Sequence, residues 1–255
     1  MNEPVEVLIT MPFSDEVVSR LQSISTRLNV RVIRARKPDD IPKDVWEQVQ
    51  VLYTDHVLPT AEQAPHLDWI QFNSAGIDHV VAAPILEKEG LVATTMSGAS
   101  ASQMGEYVVM MLLALGHRMP DLFRMKAKGE WPKDRYERFR PLELRHAVVG
   151  IVGYGSIGRQ VARLLQPFGA QVLATKRNVM DPEHHGYSPE GLGDLYGELV
   201  HRLYPTQALR SMVKACDFVV VTVPLTEDTE NLIDEEIFGA FKPSAFLVDV
   251  SRGGV

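Results

Sequence analysis

The chain has 255 residues, enough for one large domain or two modest ones with a real core. A formal net charge of −7 excludes a general nucleic-acid binder, which needs a basic face to gather phosphates. With one cysteine, Cys216, an internal disulfide framework is excluded, and a reducing, cytoplasmic setting is expected.

The opening MNEPVEVLIT has no basic stretch leading into a long apolar run, so no signal peptide is expected. The longest apolar run, 107–115, is too short to cross a bilayer and reads as buried helix; no membrane partner is expected. From there the elements come in a regular rhythm. EVLIT (6–10) reads as a strand, and 14–28 as a helix with Ser14 or Asp15 as N-cap. VRVIRA, VQVLYT, DWIQF and GLVATT follow as short strands with helical or loop connections. Short apolar runs alternating with helical patterns make βαβ units, hence an α/β fold with a parallel sheet and helices on both faces.

SGASAS (97–102) is small and polar and reads as a hinge, placing domains at 1–98 and 99–255. QMGEYVVMMLLALGHRM reads as one long helix, apolar around most of its circumference and therefore buried. A second βαβ series starts at AVVGIV. The segment 178–204, rich in Gly, Pro and His, reads as a long loop or insertion. Its pair His184 and His185 lacks further ligands at metal spacing, so no metal site is expected. Near the end, FLVDV is apolar enough to lie inside a parallel sheet, and the turn after it carries Arg252 among small residues.

The strongest local signal is GIVGYGSIGRQVARLL. A strand leads into the turn GYGSIG, and an amphipathic helix closed by Gly169 leaves it. Gly153 permits the tight turn, Gly155 leaves room for a pyrophosphate, and Gly158 lets helix and strand pack closely. Ser156 and Ile157 open the helix, whose N-terminal N–H groups and dipole favour phosphate. With a second strand, QVLAT, in the right order, the stretch reads as a dinucleotide site. That second strand ends in Thr175, Lys176 and Arg177, where an acidic residue would select NAD. Two cations and a hydroxyl suit a 2′-phosphate, so NADP(H) is expected, with NAD(H) as the alternative.

These motifs together resemble the D-isomer-specific 2-hydroxyacid dehydrogenases over nearly the whole chain. FNSAGIDHV is similar to that family's substrate-carboxylate loop, and SGASASQMGEYVVMMLLALGHRM to its hinge and long interdomain helix. ACDFVVVTVPLTEDTENLI and FKPSAFLVDVSRGGV are similar to its cofactor-side strands and to the strand that delivers its catalytic Arg. The resemblance implies two Rossmann-like parallel-sheet domains with the active site in the cleft between them. The first would be a flavodoxin-like substrate lobe and the second an incomplete NAD(P)-binding lobe.

The implied reaction is hydride transfer between NADP(H) and C2 of a small 2-keto or 2-hydroxy acid, of glyoxylate or hydroxypyruvate reductase type. Arg252 would anchor the substrate carboxylate and stabilise developing charge, and its planar fork suits that task better than a Lys. Ala75 and Gly76 would offer N–H groups to the carboxylate. Met104, Val223, Pro224, Val250 and Ser251 would touch the cofactor. His79 and His117 read as structural rather than as a proton donor. The family's proton-donating His and its supporting Glu follow the Arg turn, so the chain reads as a truncated member, inactive as it stands. A non-catalytic dinucleotide-binding or sensing protein of the same fold is the alternative. The family also implies a homodimer when full length, which the long helix and nearby Trp131 would suit.

Overall fold

The computed structural model describes residues 3–255; Met1 and Asn2, which open the stretch read for a leader, lie outside them. The chain divides into two compact units, Met1–Ser97 and Gly98–Val255.

The first unit contains β1 (Val5–Ile9), α1 (Asp15–Ile24), β2 (Leu28–Val32), α2 (Lys43–Trp46), β3 (Val51–Thr54), β4 (Trp69–Phe72) and β5 (Val92–Thr94). Its strands form one parallel sheet in the order β2-β1-β3-β4-β5. Ser14 caps α1, its hydroxyl accepting from the Val17 N–H at 3.4 Å. The helix stops at Ile24, four residues short of the expected end, because 28–32 pairs with β1 as a strand. Leu8, Leu52, Ile70, Phe72 and Trp46 form the core. Each such side chain removed from water stabilises the unit by roughly 1.5–3 kcal/mol.

The second unit contains α3 (Ala101–Gly116), α4 (Met119–Lys128), α5 (Arg135–Arg138), β6 (Val148–Val152), α6 (Ser156–Leu165), β7 (Gln171–Lys176), β8 (Arg202–Pro205), α7 (Leu209–Val213), β9 (Phe218–Val221), α8 (Glu235–Phe238) and β10 (Phe246–Asp249). Its sheet is also parallel, ordered β10-β9-β6-β7-β8. Val149, Ile151, Val172, Ala174 and Val220 are fully buried, because helices cover both faces and the strands read as unbroken apolar runs. The strand order reverses at β6, with β7 on one side and β9 on the other, and ligands of such sheets collect outside the carboxyl ends at that point.

Four expectations are corrected here. The long helix, expected over 103–119, ends at Gly116: Arg118 adopts φ 58°, and α4 starts at Met119 with Pro120 in its first turn, where a proline without an N–H fits. Nor is that helix buried all round. Gly105, Val108 and Leu112 face inward, while Tyr107 is 46% and Met110 53% exposed within the chain. The end of the 178–204 segment is not loop, since Arg202, Leu203 and Tyr204 extend the sheet as β8 beside β7. β10, expected inside the sheet, pairs only with β9 among the described residues and is half-buried. Among those residues no helix is long and apolar enough to cross a membrane.

Candidate functional site

β6 delivers its last residue, Val152, into the glycine turn. Gly153 has φ 98°, in the left-handed region that side chains disfavour, and a Cβ there would collide with Val223 Cγ1. Two hydrogen bonds pin it: its N–H donates to Thr175 Oγ1 at 3.0 Å, and its carbonyl accepts from Thr222 Oγ1 at 2.7 Å. Gly158 is equally confined, because a Cβ would lie 2.5 Å from Gly153 O and 2.9 Å from Ile151 Cγ2. Gly155 is the opposite case. It is exposed, and a Cβ would meet nothing within 4 Å.

Two glycines close-pack the turn and the third faces open space. Gly155 is also the N-cap of α6 and has no side chain to satisfy the first helical N–H groups. Those donors and the positive dipole end therefore face the open side. The residues present fit a dinucleotide diphosphate.

At the end of β7 the three residues expected around a 2′-phosphate part company. Thr175 is 2% exposed, and its hydroxyl holds the Gly153 N–H; it supports the turn instead of facing a ligand. Lys176 is 18% exposed, donates to the Asp181 carbonyl, and lies 4.0 Å from the Asp181 carboxylate. Arg177 reaches out, its side chain 82% exposed and 3.9 Å from Asp228. Thr175 is still inside β7, covered by the glycine turn, whereas the strand ends at Lys176 and Arg177 lies beyond it on the surface.

The neighbouring strand ends converge on the same edge. Val223 packs on Gly153 and Pro224 is exposed. Val250 continues from β10 with its N–H donating to Val221 O at 3.1 Å. Asp249 accepts from the Ser251 N–H at 2.8 Å and from the Ser251 hydroxyl at 2.5 Å. The carboxylate in the SRGG turn thus shapes the turn that carries Arg252. Arg252 is exposed and donates from Nη1 to Ser251 O at 3.1 Å. Met104 is half-buried in the first turn of α3.

A family model described as "D-isomer specific 2-hydroxyacid dehydrogenase, NAD binding domain" matches residues 109–255, more than half of the chain. The chain belongs to the D-isomer specific 2-hydroxyacid dehydrogenase family. Human glyoxylate reductase/hydroxypyruvate reductase is 31% identical over 207 residues, covering 80% of this chain and 58% of that protein. D-3-phosphoglycerate dehydrogenase of Methanocaldococcus jannaschii is 25% identical over 255 residues, covering 98% of this chain and 44% of that protein. The chain spans about half the length of the curated relatives it matches. In fold it is similar to a D-isomer specific 2-hydroxyacid dehydrogenase from Xanthobacter autotrophicus, solved with NADPH and MES. There the TM-score is 0.77 at 23% identity, over 99% of this chain and 73% of that one. The glycine turn lies inside the matched NAD binding domain, which supports a nicotinamide dinucleotide as the cofactor.

In the first unit, the loop after β4 is held from both sides. The Asn73 N–H donates to Thr54 O at 2.8 Å, and the Met96 N–H donates to Ser74 O at 3.0 Å. Ala75 is exposed and Gly76 half-buried, and neither N–H has a partner among the described residues. The Ser74 hydroxyl is buried without a partner as well. His79, by contrast, donates to Asp55 O at 3.1 Å.

Sequence reading missed one feature of the second unit, a buried polar knot. Arg159, on α6 and 1% exposed, lies over the Tyr154 ring at 4.6 Å. It donates to three carbonyls of the β7–β8 segment: Asp194 at 2.5 Å, Pro182 at 2.6 Å and Glu183 at 3.2 Å. The Asp194 carboxylate accepts from the Tyr154 hydroxyl at 2.5 Å and from the N–H groups of Gly197, Glu198 and Leu199 at 2.9–3.0 Å. Burial pushes the Tyr154 hydroxyl far up, helped by Asp194. Burial also pulls on Asp194, but the Tyr154 hydroxyl and the backbone donors outweigh it and hold the acid below its ordinary range. The only signal in the sequence was a Tyr and an Arg beside the glycines, and nothing in it pairs them with residue 194.

Proposed function

We propose that the protein is an NADP(H)-dependent reductase of small 2-keto acids, of the glyoxylate or hydroxypyruvate type, working between the 2-keto and 2-hydroxy forms. In this reading 1–98 is the substrate-binding domain and 99–255 the cofactor domain. The single observation that carries it is the carboxyl edge of the second sheet. The open glycine turn after β6 and the exposed guanidinium after β10 are both displayed on that edge.

A bound nicotinamide supplies the hydride. The chain's own residues do the rest: the N–H groups opening α6 hold the diphosphate, and Val223 and Val250 wall the edge beside them. Arg252 holds the substrate carboxylate in a planar fork and balances negative charge as it grows on the C2 oxygen. In the first unit, the unpartnered N–H groups of Ala75 and Gly76 suit a carboxylate. Arg177 supports the phosphorylated cofactor, because an exposed guanidinium can grip a 2′-phosphate; Lys176 adds less while Asp181 holds it. Exposed Phe123, Trp131 and Tyr136 suit a homodimer face.

The test is twofold. NADPH and NADH are titrated against the protein by nicotinamide fluorescence, and NADPH consumption is followed with glyoxylate, hydroxypyruvate, pyruvate and phosphohydroxypyruvate. The reading expects tighter NADPH than NADH, turnover of the small acids by the full-length protein, and loss of that turnover in full-length Arg252→Ala with cofactor binding kept. Binding of neither dinucleotide refutes it.

A further inference from the structure

The β7–β8 segment carries two histidines that the proposed function does not use, and one of them stands at the phosphate-binding end of α6. His184 Nε2 lies 3.4 Å from the hydroxyl of Ser156, the first residue of that helix. This placement is built, not incidental. Arg159 grips the carbonyls of Pro182 and Glu183, the two residues before His184. After it, the Tyr187 carbonyl occupies the space a side chain at residue 98 would need, and Gly98 with φ 90° leaves that space clear.

The groups facing the ring are Arg159 from α6, Lys176 from the end of β7 and the adjoining His185, with a backbone hydrogen bond at Tyr187. No carboxylate is among them. The nearby acid, Asp181, is engaged by His185 Nε2 at 3.1 Å and by Lys176. A helix N-terminus and the His184 imidazole beside it, with the positive charges of Arg159 and Lys176 behind them, form a receptor for an anion.

We propose that His184 completes the phosphate-binding end of α6, donating its Nε2–H to the diphosphate of the bound dinucleotide. The inference rests on the dinucleotide reading above. It has a thermodynamic consequence. Without an anion, burial and then Arg159 hold His184 below the ordinary histidine value of 6.5, so the ring is neutral near pH 7. A diphosphate beside it favours the charged ring and raises its proton affinity. Cofactor binding then takes up a proton, and affinity rises as pH falls from the bound-state value toward the free-state one. Folding alone has the reverse dependence: the neutral buried ring contributes fully above 6.5 and destabilises as pH drops below it.

NADH is the probe, because it has no 2′-phosphate to titrate in this window and its diphosphate stays charged throughout. Its Kd is measured by isothermal titration calorimetry from about pH 8 to about pH 6, in buffers of different ionisation enthalpy, to count protons. The native chain is expected to bind about tenfold tighter at the lower pH, the effect of one unit of raised proton affinity, with net proton uptake. His184→Gln keeps a donor of similar reach and is expected to flatten the profile, while His185→Gln follows the native one. An unchanged native Kd across the range overturns the proposal, as does a His184→Gln profile that keeps its slope. Failure of the native chain to bind NADH or NADPH at any pH instead overturns the dinucleotide reading beneath it.

Discussion

Replacing Asp194 by Ala removes the acceptor on which four donors converge: the Tyr154 hydroxyl and the N–H groups of Gly197, Glu198 and Leu199. Each hydrogen bond to a charged group contributes about 1.5–3 kcal/mol net, but four such values do not add. The three amides lie in a half-buried stretch, where water can solvate them once the segment relaxes. What water cannot replace is the acceptor for the buried Tyr154 hydroxyl, and a buried donor left unsatisfied costs about 1–3 kcal/mol on top of the weakened backbone bonds. We therefore expect Asp194→Ala to lose about 2–4 kcal/mol. For a chain of this size that lowers the melting temperature of its unit by ~4–16 °C. Asp194→Asn keeps shape and one acceptor oxygen and should lose about 1–2 kcal/mol. Urea denaturation reads the totals, and hydrogen exchange at residues 197–199 reads the local opening. The same acid predicts a pH dependence. Because folding lowers its proton affinity, its contribution is whole above the ordinary value of 3.8 and is lost as pH falls below it. An Asp194→Ala chain within about 1 kcal/mol of native, with unchanged exchange at those amides, would refute the reasoning.

Gly155→Ala should leave unfolding within about 0.5 kcal/mol of native while weakening NADPH at least about tenfold, since the new methyl meets no protein atom but intrudes where the diphosphate lies. Gly158→Ala should instead destabilise by about 2–4 kcal/mol, its methyl pressing on Gly153 O; equal melts for the two variants would sink the assignment of their roles. Arg177→Ala is expected to cost NADPH about tenfold and NADH little, Lys176→Ala less, and Asp181→Asn to tighten NADPH slightly by removing the negative charge beside Lys176; parallel losses for both cofactors would count against it. Cys216, whose thiol burial pushes up to about 12 and which donates to Met212 O at 3.2 Å, should resist alkylation until the unit unfolds, and rapid native labelling would contradict that.

The strands and the glycine turn were legible because their causes are local. A parallel strand covered on both faces has to be apolar throughout, as VVGIV and FVVV are. A residue at φ 98° beneath Val223 has to be glycine. The end of the long helix at Gly116 was misread, because the apolar pattern carries on to Met119 and only Pro120 beyond it marks a fresh helix start. Thr175 was misread for a different reason: a hydroxyl at a strand end suits a ligand or a neighbouring turn equally, and only the fold shows Gly153 beneath it. The knot of Tyr154, Arg159 and Asp194 left no periodic trace, because its bonds join residues 35 to 40 positions apart.

Arg159 grips the segment after β7 through main-chain oxygens alone, at Pro182, Glu183 and Asp194. Every residue type carries such an oxygen. The path of this stretch is therefore largely indifferent to the identities at 182 and 183, though sensitive to their number. An engineer, or natural drift, can retouch the margin of the proposed dinucleotide site there by exchanging side chains. Lengthening or shortening the stretch by a single residue would pull the oxygens out of register with the guanidinium.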